Sequence, residues 1–267
     1  MPIDTSFDVR SDAGGKDLDT YSVTLCRYHK LLWSRVLPSG ALFDLKIVPR
    51  HGAYALRHRS ELGEFFLTSD GIIHTFTPWK RLKHIIELFP EEQNEEFKRI
   101  AYTIGGTLVF PGNKIDRKPT INGARGFNWK IGDRFDLTLE CIRRHYVGHH
   151  SPLEDTFKRY GDFFALFEDF RGYVEFFMLQ DLVVDDYSAV TFLMPFDDFR
   201  TSPIPGDVET YREYRRLSIE FGKARNRRID RHAAYLRSAS AYVAQPQLPF
   251  APPLEALSGT VSARATT

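Results

Sequence analysis

The chain is organised around residues 105–150, which read GGTLVFPGNKIDRKPTINGARGFNWKIGDRFDLTLECIRRHYVGHH. A short apolar strand, Thr107–Phe110, precedes a loop rich in Gly, Asn, Lys and Arg, and a strongly amphipathic helix follows the loop. Asp133 is predicted to cap this helix, whose apolar residues recur at helical spacing: Phe135, Leu139, Ile142 and Tyr146. Polar loops held between rigid elements often carry binding or catalytic sites. The stretch therefore predicts a strand–loop–helix unit and the place of a site.

Outside this stretch, the sequence predicts strands and helices without a regular strand–helix–strand alternation. The predicted strands are Ala41–Val48, Ala53–Leu56, Glu64–Thr68, Ile72–Phe76 and Ala189–Met194, with residues 49–52 as a hairpin connection. Helices are predicted from signals at Thr20, Pro78, Pro90, Ser151 and Asp207, and over Tyr173–Val184. The 22 Phe and 12 Tyr favour aromatic packing. Together these patterns predict an α+β fold, in which a mixed or antiparallel sheet packs against aromatic-rich helices.

Composition divides the chain into three segments. Residues 1–20 are polar and rich in Gly and Asp, which predicts an N-terminal arm. Residues 21–244 predict a single globular α+β domain, long enough to bury a core without cross-links. Residues 245–267 are rich in Pro, Ala, Ser and Thr, which predicts a disordered tail.

The overall charge gives no field that would steer the chain towards nucleic acid. Lys plus Arg total 36 and Asp plus Glu total 35, so the formal net charge is +1. Cys26 and Cys141 are too few for a disulfide framework or a four-thiolate zinc site, and buried free thiols are expected. No apolar run approaches about 18 residues and no secretory signal pattern is present, so we expect a cytoplasmic protein without a membrane span.

The loop between the predicted strand Thr107–Phe110 and the helix predicted at Asp133, which we call the central loop, carries the first candidate site. Lys114, Asn122 and Arg125 lie in a segment interrupted by several glycines, which let a backbone approach a ligand closely. Arginine offers paired hydrogen bonds to phosphate or carboxylate. The pattern predicts a pocket for a small-molecule anion or nucleotide, and its alternative is an exposed loop with solvated charges. Neither GxxxxGK[ST] nor GxGxxG is present, so no cofactor is specified.

The sequence RHRSE at residues 57–61 is the second candidate site. His58 is a candidate general base, and Glu61 is a candidate either for the carboxylate that orients it or for an acid. Arg57 and Arg59 would bind the anionic part of a ligand. We expect this segment to follow a strand as a catalytic loop, and the alternative is a salt-bridged surface turn.

Three further groups carry weaker signals. His145 and His149 have the spacing of metal ligands on one helix face, but Gly148 breaks that face, so no metal site is predicted. The acidic pairs at residues 185–186 and 197–198 fit turns as well as they fit acid–base chemistry. The basic run Arg225–Arg231 fits either a nucleic-acid contact or a solvated helix end.

Six segments of the chain resemble an uncharacterised bacterial family of unknown function. They are RYHKLLWS (27–34), RSELGEFFLTSDGIIHTF (59–76), TINGARGF (120–127), DRFDLTLECIRRHY (133–146), DFRGYVEFFMLQDLV (169–183) and MPFDDF (194–199). The resemblance spans roughly residues 5 to 232 and implies a single bacterial cytoplasmic domain with a separate tail. It implies no activity, cofactor or catalytic residue.

The leading functional hypothesis is an enzyme or ligand-binding protein for a phosphorylated or nucleotide-like ligand in an Arg, His and aromatic pocket. The first alternative is a nucleic-acid-associated module that uses Arg225–Arg231 and the central loop. The second is a protein-interaction domain without catalysis, in which part of the Phe excess marks a partner surface. No sequence feature specifies the oligomeric state.

Overall fold

Four antiparallel strands form one sheet in the computed structural model, which describes residues 2–17, 21–50 and 53–244. Of residues 53 and 236–244 it describes the backbone only. The strands are β1 (Lys46–Arg50), β2 (Ala53–Ser60), β3 (Gly63–Gly71) and β4 (Thr107–Pro111), in that spatial order. The predicted Thr20 cap, part of the 49–52 connection and the predicted tail at 245–267 lie outside the described residues.

The described residues contain nine α-helices, so the α+β prediction is confirmed, and the sheet is antiparallel. They are α1 (Val23–Trp33), α2 (Lys83–Ile86), α3 (Glu91–Ala101), α4 (Ile121–Phe127), α5 (Phe135–Tyr146), α6 (Glu154–Arg159), α7 (Gly161–Ala165), α8 (Phe170–Phe176) and α9 (Val208–Ala244). Short 3₁₀ helices cover Val9–Ser11, Lys80–Leu82, Ile104–Gly106 and Gln180–Leu182. No helix in this part of the chain combines the length and apolarity needed to cross a bilayer.

Two predicted strands are wrong. The segment 72–76 is not part of the sheet: β3 ends at Gly71, and only the Ile72 amide still donates to the Gly106 carbonyl. Phe76, at the end of the segment, has a left-handed backbone with φ of 59°. The segment 189–194 makes only an isolated bridge between Val183 and Val190. A third strand is longer than predicted, since β2 continues to Ser60 and includes the RHRS residues.

Three helix starts differ from the positions that the sequence signals predict. Ser22 caps α1, accepting a hydrogen bond from the Leu25 amide at 3.1 Å. The predicted cap at Ser151 is wrong, because α6 begins at Glu154 after a turn. The central loop is not wholly a loop, because Thr120 caps α4, accepting from the Gly123 amide at 3.2 Å.

The core is aromatic, and the long helix α9 closes it. Trp33 of α1 and Phe177 lie 5.2 Å apart between ring centroids, and Phe177 and Tyr173 lie 4.9 Å apart. Tyr214 of α9 packs edge to face on Phe76 at 5.1 Å. Residues of the predicted N-terminal arm also contact the domain, since Val9 is buried and its amide donates to the Tyr102 carbonyl at 3.0 Å.

Candidate functional site

The predicted RHRSE site is divided between the two faces of the sheet. His58 is buried under Phe43, with ring centroids 4.2 Å apart, and its Nδ1 lies 3.2 Å from the Asp44 carbonyl oxygen. Burial lowers the pKa of His58. Because side chains alternate along a strand, Arg57 and Arg59 lie on the other face. The segment is therefore a strand and not a loop after one.

The two arginines of this segment share one carboxylate. The Glu64 Oε1 lies 2.7 Å from Arg59 Nη2 and 3.8 Å from Arg57 Nη1. Glu61 is exposed in the turn between β2 and β3, beyond the Ser60–Gly63 pair where the two strands end. The structure brings Arg57 and Arg59 together through Glu64, but it gives His58 and Glu61 no common contact among the described residues.

The residues predicted in the central loop also occupy different environments. Lys114 is exposed after β4, and Asn122 is half-buried in the first turn of α4. Arg125 is fully buried, and its Nη1 donates to the Asp70 carboxylate and, at 2.9 Å, to the Gly71 carbonyl. Its Nε donates to Thr138 Oγ1 at 3.2 Å and its Nη2 to the Asp133 carbonyl at 2.9 Å. Arg125 thus holds β3, α4 and α5 together.

A histidine that the sequence did not single out lies beside this arginine. The Nδ1 of His74 is 3.8 Å from the Asp133 carboxylate, whose other oxygen is 3.3 Å from Arg125 Nη1. Burial lowers the pKa of His74, with the Asp133 charge acting against it, so the imidazole is neutral at pH 7. The Nε2 of His74 is buried and has no hydrogen-bond partner among the described residues.

Asp133 has a different role from the helix cap that the sequence predicts. The N-cap position of α5 belongs to Arg134, which makes no side-chain capping bond. Asp133 has a left-handed backbone with φ of 61°, a conformation that is uncommon for a residue with a side chain. Its carboxylate faces His74 and Arg125 instead. No local sequence motif marks this pairing, because its members come from separate elements.

An open cleft of about 450 Å³ lies next to this cluster and has an aromatic lining. We call it the aromatic cleft; it is lined by Trp79, Arg81, Gly126, Phe127, Asn128, Trp129, Gly132, Ser202 and Pro203. Phe127 is 87% exposed and Trp129 is 73% exposed. The half-buried Trp79 contacts His74 at 5.4 Å between ring centroids. Two large exposed rings beside one cleft are unusual for a surface that binds nothing.

Cations lie over two of the tryptophan rings. The Arg81 guanidinium carbon is 4.6 Å from the Trp79 ring centroid, and the Lys130 Nζ is 5.5 Å from the Trp129 ring centroid. The cleft lining includes Arg81 and no carboxylate among the residues that the structure describes. The cleft therefore offers aromatic faces and positive charge together.

The other predicted groups offer no comparable arrangement. Arg225 is fully buried, and it donates to the carbonyls of Gly105 at 2.8 Å and Thr107 at 2.7 Å, so it is not on a surface for nucleic acid. Arg228 pairs with Asp181 at 3.1 Å. Within the described residues, no group of three or more His, Cys, Asp or Glu side chains is arranged to hold a metal ion.

Comparison with known proteins assigns the chain no activity. A family model described as "Family of unknown function (DUF6994)" matches residues 3–229. Neither the curated proteins nor the solved structures contain a match. The predicted resemblance to an uncharacterised family is confirmed, and the matched range contains every residue that lines the aromatic cleft.

Proposed function

Because the chain belongs to this family of unknown function, we propose its function from the aromatic cleft. The protein binds a small ligand that carries a flat ring and a negatively charged group, of nucleotide-like or otherwise phosphorylated character. The observation that carries the proposal is the grouping of Trp79, Phe127 and Trp129 around one cleft, with two of the rings highly exposed.

The exposed rings favour a ligand with a flat face. Stacking of a base on an aromatic side chain contributes about 1–3 kcal/mol and tolerates different bases. Trp129 and Phe127 are separated by one residue at the end of α4, and both line the same cleft. A planar ring between such side chains would bury apolar surface that is now in water.

The charge of the lining favours an anionic group on that ligand. Arg81 lines the cleft, and its planar guanidinium matches phosphate or carboxylate in a bidentate geometry. Lys130, beside Trp129, adds a second cation near the cleft. In this proposal Arg125, Arg57 and Arg59 do not contact the ligand, because carboxylates and carbonyls already engage them.

His74 and Asp133 supply a candidate for proton transfer at this cleft. A neutral imidazole beside a carboxylate can accept a proton, and the His74 ring contacts Trp79, which lines the cleft. If the protein is an enzyme, we propose His74 as its base in preference to His58, which lies under Phe43. Binding does not depend on this step.

Tryptophan fluorescence tests the binding proposal. The chain has three tryptophans, and Trp33 is fully buried, so a ligand in the cleft would act on Trp79 and Trp129. We expect adenosine 5′-monophosphate to quench or shift the emission with saturation. Phe127→Ala keeps all three tryptophans and should weaken binding about tenfold, since stacking contributes about 1–3 kcal/mol.

The matched control is Tyr54→Ala, which removes an exposed aromatic side chain on β2. It should leave the affinity unchanged. Arg81→Gln should abolish the preference for the monophosphate over adenosine. Emission that is insensitive to both compounds, or equal affinity in Phe127→Ala and the parent protein, would refute the proposal and favour a protein-interaction or nucleic-acid role.

A further inference from the structure

A second cavity, of about 580 Å³, lies between α3, α9 and the N-terminal segment. We call it the basic cavity, after Arg99, Lys223 and Arg227, three of the residues that line it. Lys223, Asn226, Arg227 and Asp230 follow one another at helical spacing, so they share one face of α9. Thr5 and Ser6 of the N-terminal segment also line the cavity.

The floor of the basic cavity is fixed by hydrogen bonds. Asn226 is buried, its Oδ1 accepts from the Gly105 amide at 2.9 Å, and its Nδ2 donates to Thr103 Oγ1 at 2.9 Å. The approach is close, because a Cβ on Gly105 would lie 2.2 Å from Asn226 Oδ1. Both polar atoms of this amide are engaged, so Asn226 positions the floor and leaves recognition to the cations.

The charges of the lining are only partly matched. The Lys223 Nζ lies 3.0 Å from Glu96 Oε1, and the Asp230 carboxylate accepts a hydrogen bond from Thr5 Oγ1 at 2.8 Å. Arg99 and Arg227 form no ion pair or hydrogen bond within the residues described. The charge of Arg99 contributes, after Lys223, to lowering the pKa of Glu96. Two guanidinium groups thus line one cavity, and neither is paired with a carboxylate of the described residues.

We propose that the basic cavity binds the phosphate group of a small phosphorylated ligand, and that Arg99 and Arg227 hold it. Each guanidinium presents parallel donors that fit phosphate oxygens, and such charge-assisted hydrogen bonds are stronger than those between neutral groups. The hydroxyl groups of Thr5 and Ser6 already donate to Asp230 at 2.8 Å and to Asp4 at 2.6 Å, so the arginines carry the recognition. This site is separate from the aromatic cleft and does not depend on it.

Phosphate titration of the 267-residue chain tests this site. Inorganic phosphate should raise the melting temperature with saturation, beyond the effect of sodium chloride at matched ionic strength, because a ligand of the folded state stabilises it. Arg99→Gln/Arg227→Gln should weaken phosphate binding at least about tenfold, the loss of about 1.4 kcal/mol. Arg99→Lys/Arg227→Lys should retain part of the affinity, since the charge remains.

Two controls separate this proposal from that for the aromatic cleft. Arg81→Gln should leave phosphate stabilisation intact, and Arg27→Gln, another exposed arginine, should do the same. Equal stabilisation of the parent and the Arg99→Gln/Arg227→Gln protein would overturn the proposal, as would an effect that sodium chloride reproduces. Circular dichroism checks that the variants fold. Should the double Gln variant unfold, the ³¹P line broadening of added phosphate is compared between the parent protein and Arg227→Gln. Weaker broadening with Arg227→Gln supports the site, and equal broadening overturns it.

Discussion

Arg125 joins three elements through a single buried guanidinium. It contacts carboxylates or carbonyls of Asp70, Gly71 and Asp133, and it donates to Thr138. Burial lowers the pKa of Arg125 and the two carboxylates raise it, with a net rise, so the side chain stays charged. A buried charge that loses its partner is costly, whereas an exposed ion pair contributes little. Arg125 therefore supports the wall behind the aromatic cleft.

Replacing Arg125 by Met should lower the free energy of unfolding by about 3–5 kcal/mol, because the Asp70 carboxylate then loses its buried partner. Arg59→Met is the control, since Arg59 is 70% exposed in its pair with Glu64. It should change stability by less than about 1 kcal/mol. Urea denaturation of both variants measures the two values. Similar small losses in both would show that the buried network is not a support.

The connection between α4 and α5 shapes the cleft at the scale of elements. Gly132 has a positive φ of 54°, and a Cβ there would lie 2.8 Å from Cγ of Pro203. This close approach brings the segment before α9 against the connection and closes one side of the cleft. Gly126 lines the same cleft from within α4, but a Cβ there would meet nothing within 4 Å.

These two glycines should respond to alanine in opposite directions. Gly132→Ala places a side chain on a left-handed backbone and against Pro203, so stability and ligand affinity should both fall. Gly126→Ala should raise stability by up to about 1 kcal/mol, because Ala is the better helix former. Thermal unfolding and the fluorescence titration measure both effects. Loss of stability in Gly126→Ala, or none in Gly132→Ala, would contradict this view of the connection.

Across the whole molecule, features that depend on residues close together in the sequence are predicted, and features that depend on residues far apart in the sequence are not. The periodicity of α5 and the Asp207 cap of α9 depend on residues three or four apart, and both predictions are confirmed. The apolar segment 72–76 has a strand-like pattern, but β3 ends at Gly71 and the segment ends in a left-handed turn at Phe76. Local pattern cannot anticipate that turn, which packs Phe76 against Tyr214 of a distant helix.

The candidate sites differ from the prediction for the same reason. The sequence directed attention to the central loop, and Phe127, Trp129 and Gly132 of that loop do line the aromatic cleft. Trp79 and Pro203 reach it from distant segments, and His74 meets Asp133 only in the folded chain. Charged residues chosen for their chemistry, such as Arg125 and Arg225, are buried and engaged by the fold itself.

The measurement that tests the central claim most directly is the nuclear magnetic resonance titration of the three indole N–H signals with adenosine 5′-monophosphate. Trp33 is an internal reference, because it is fully buried and its Nε1 donates to His29 Nδ1 at 2.9 Å. Trp79→Phe and Trp129→Phe assign the other two signals. We expect the Trp79 and Trp129 signals to move with one common affinity while Trp33 stays in place. Three unmoved signals, or movement of Trp33 alone, would contradict ligand binding in the aromatic cleft.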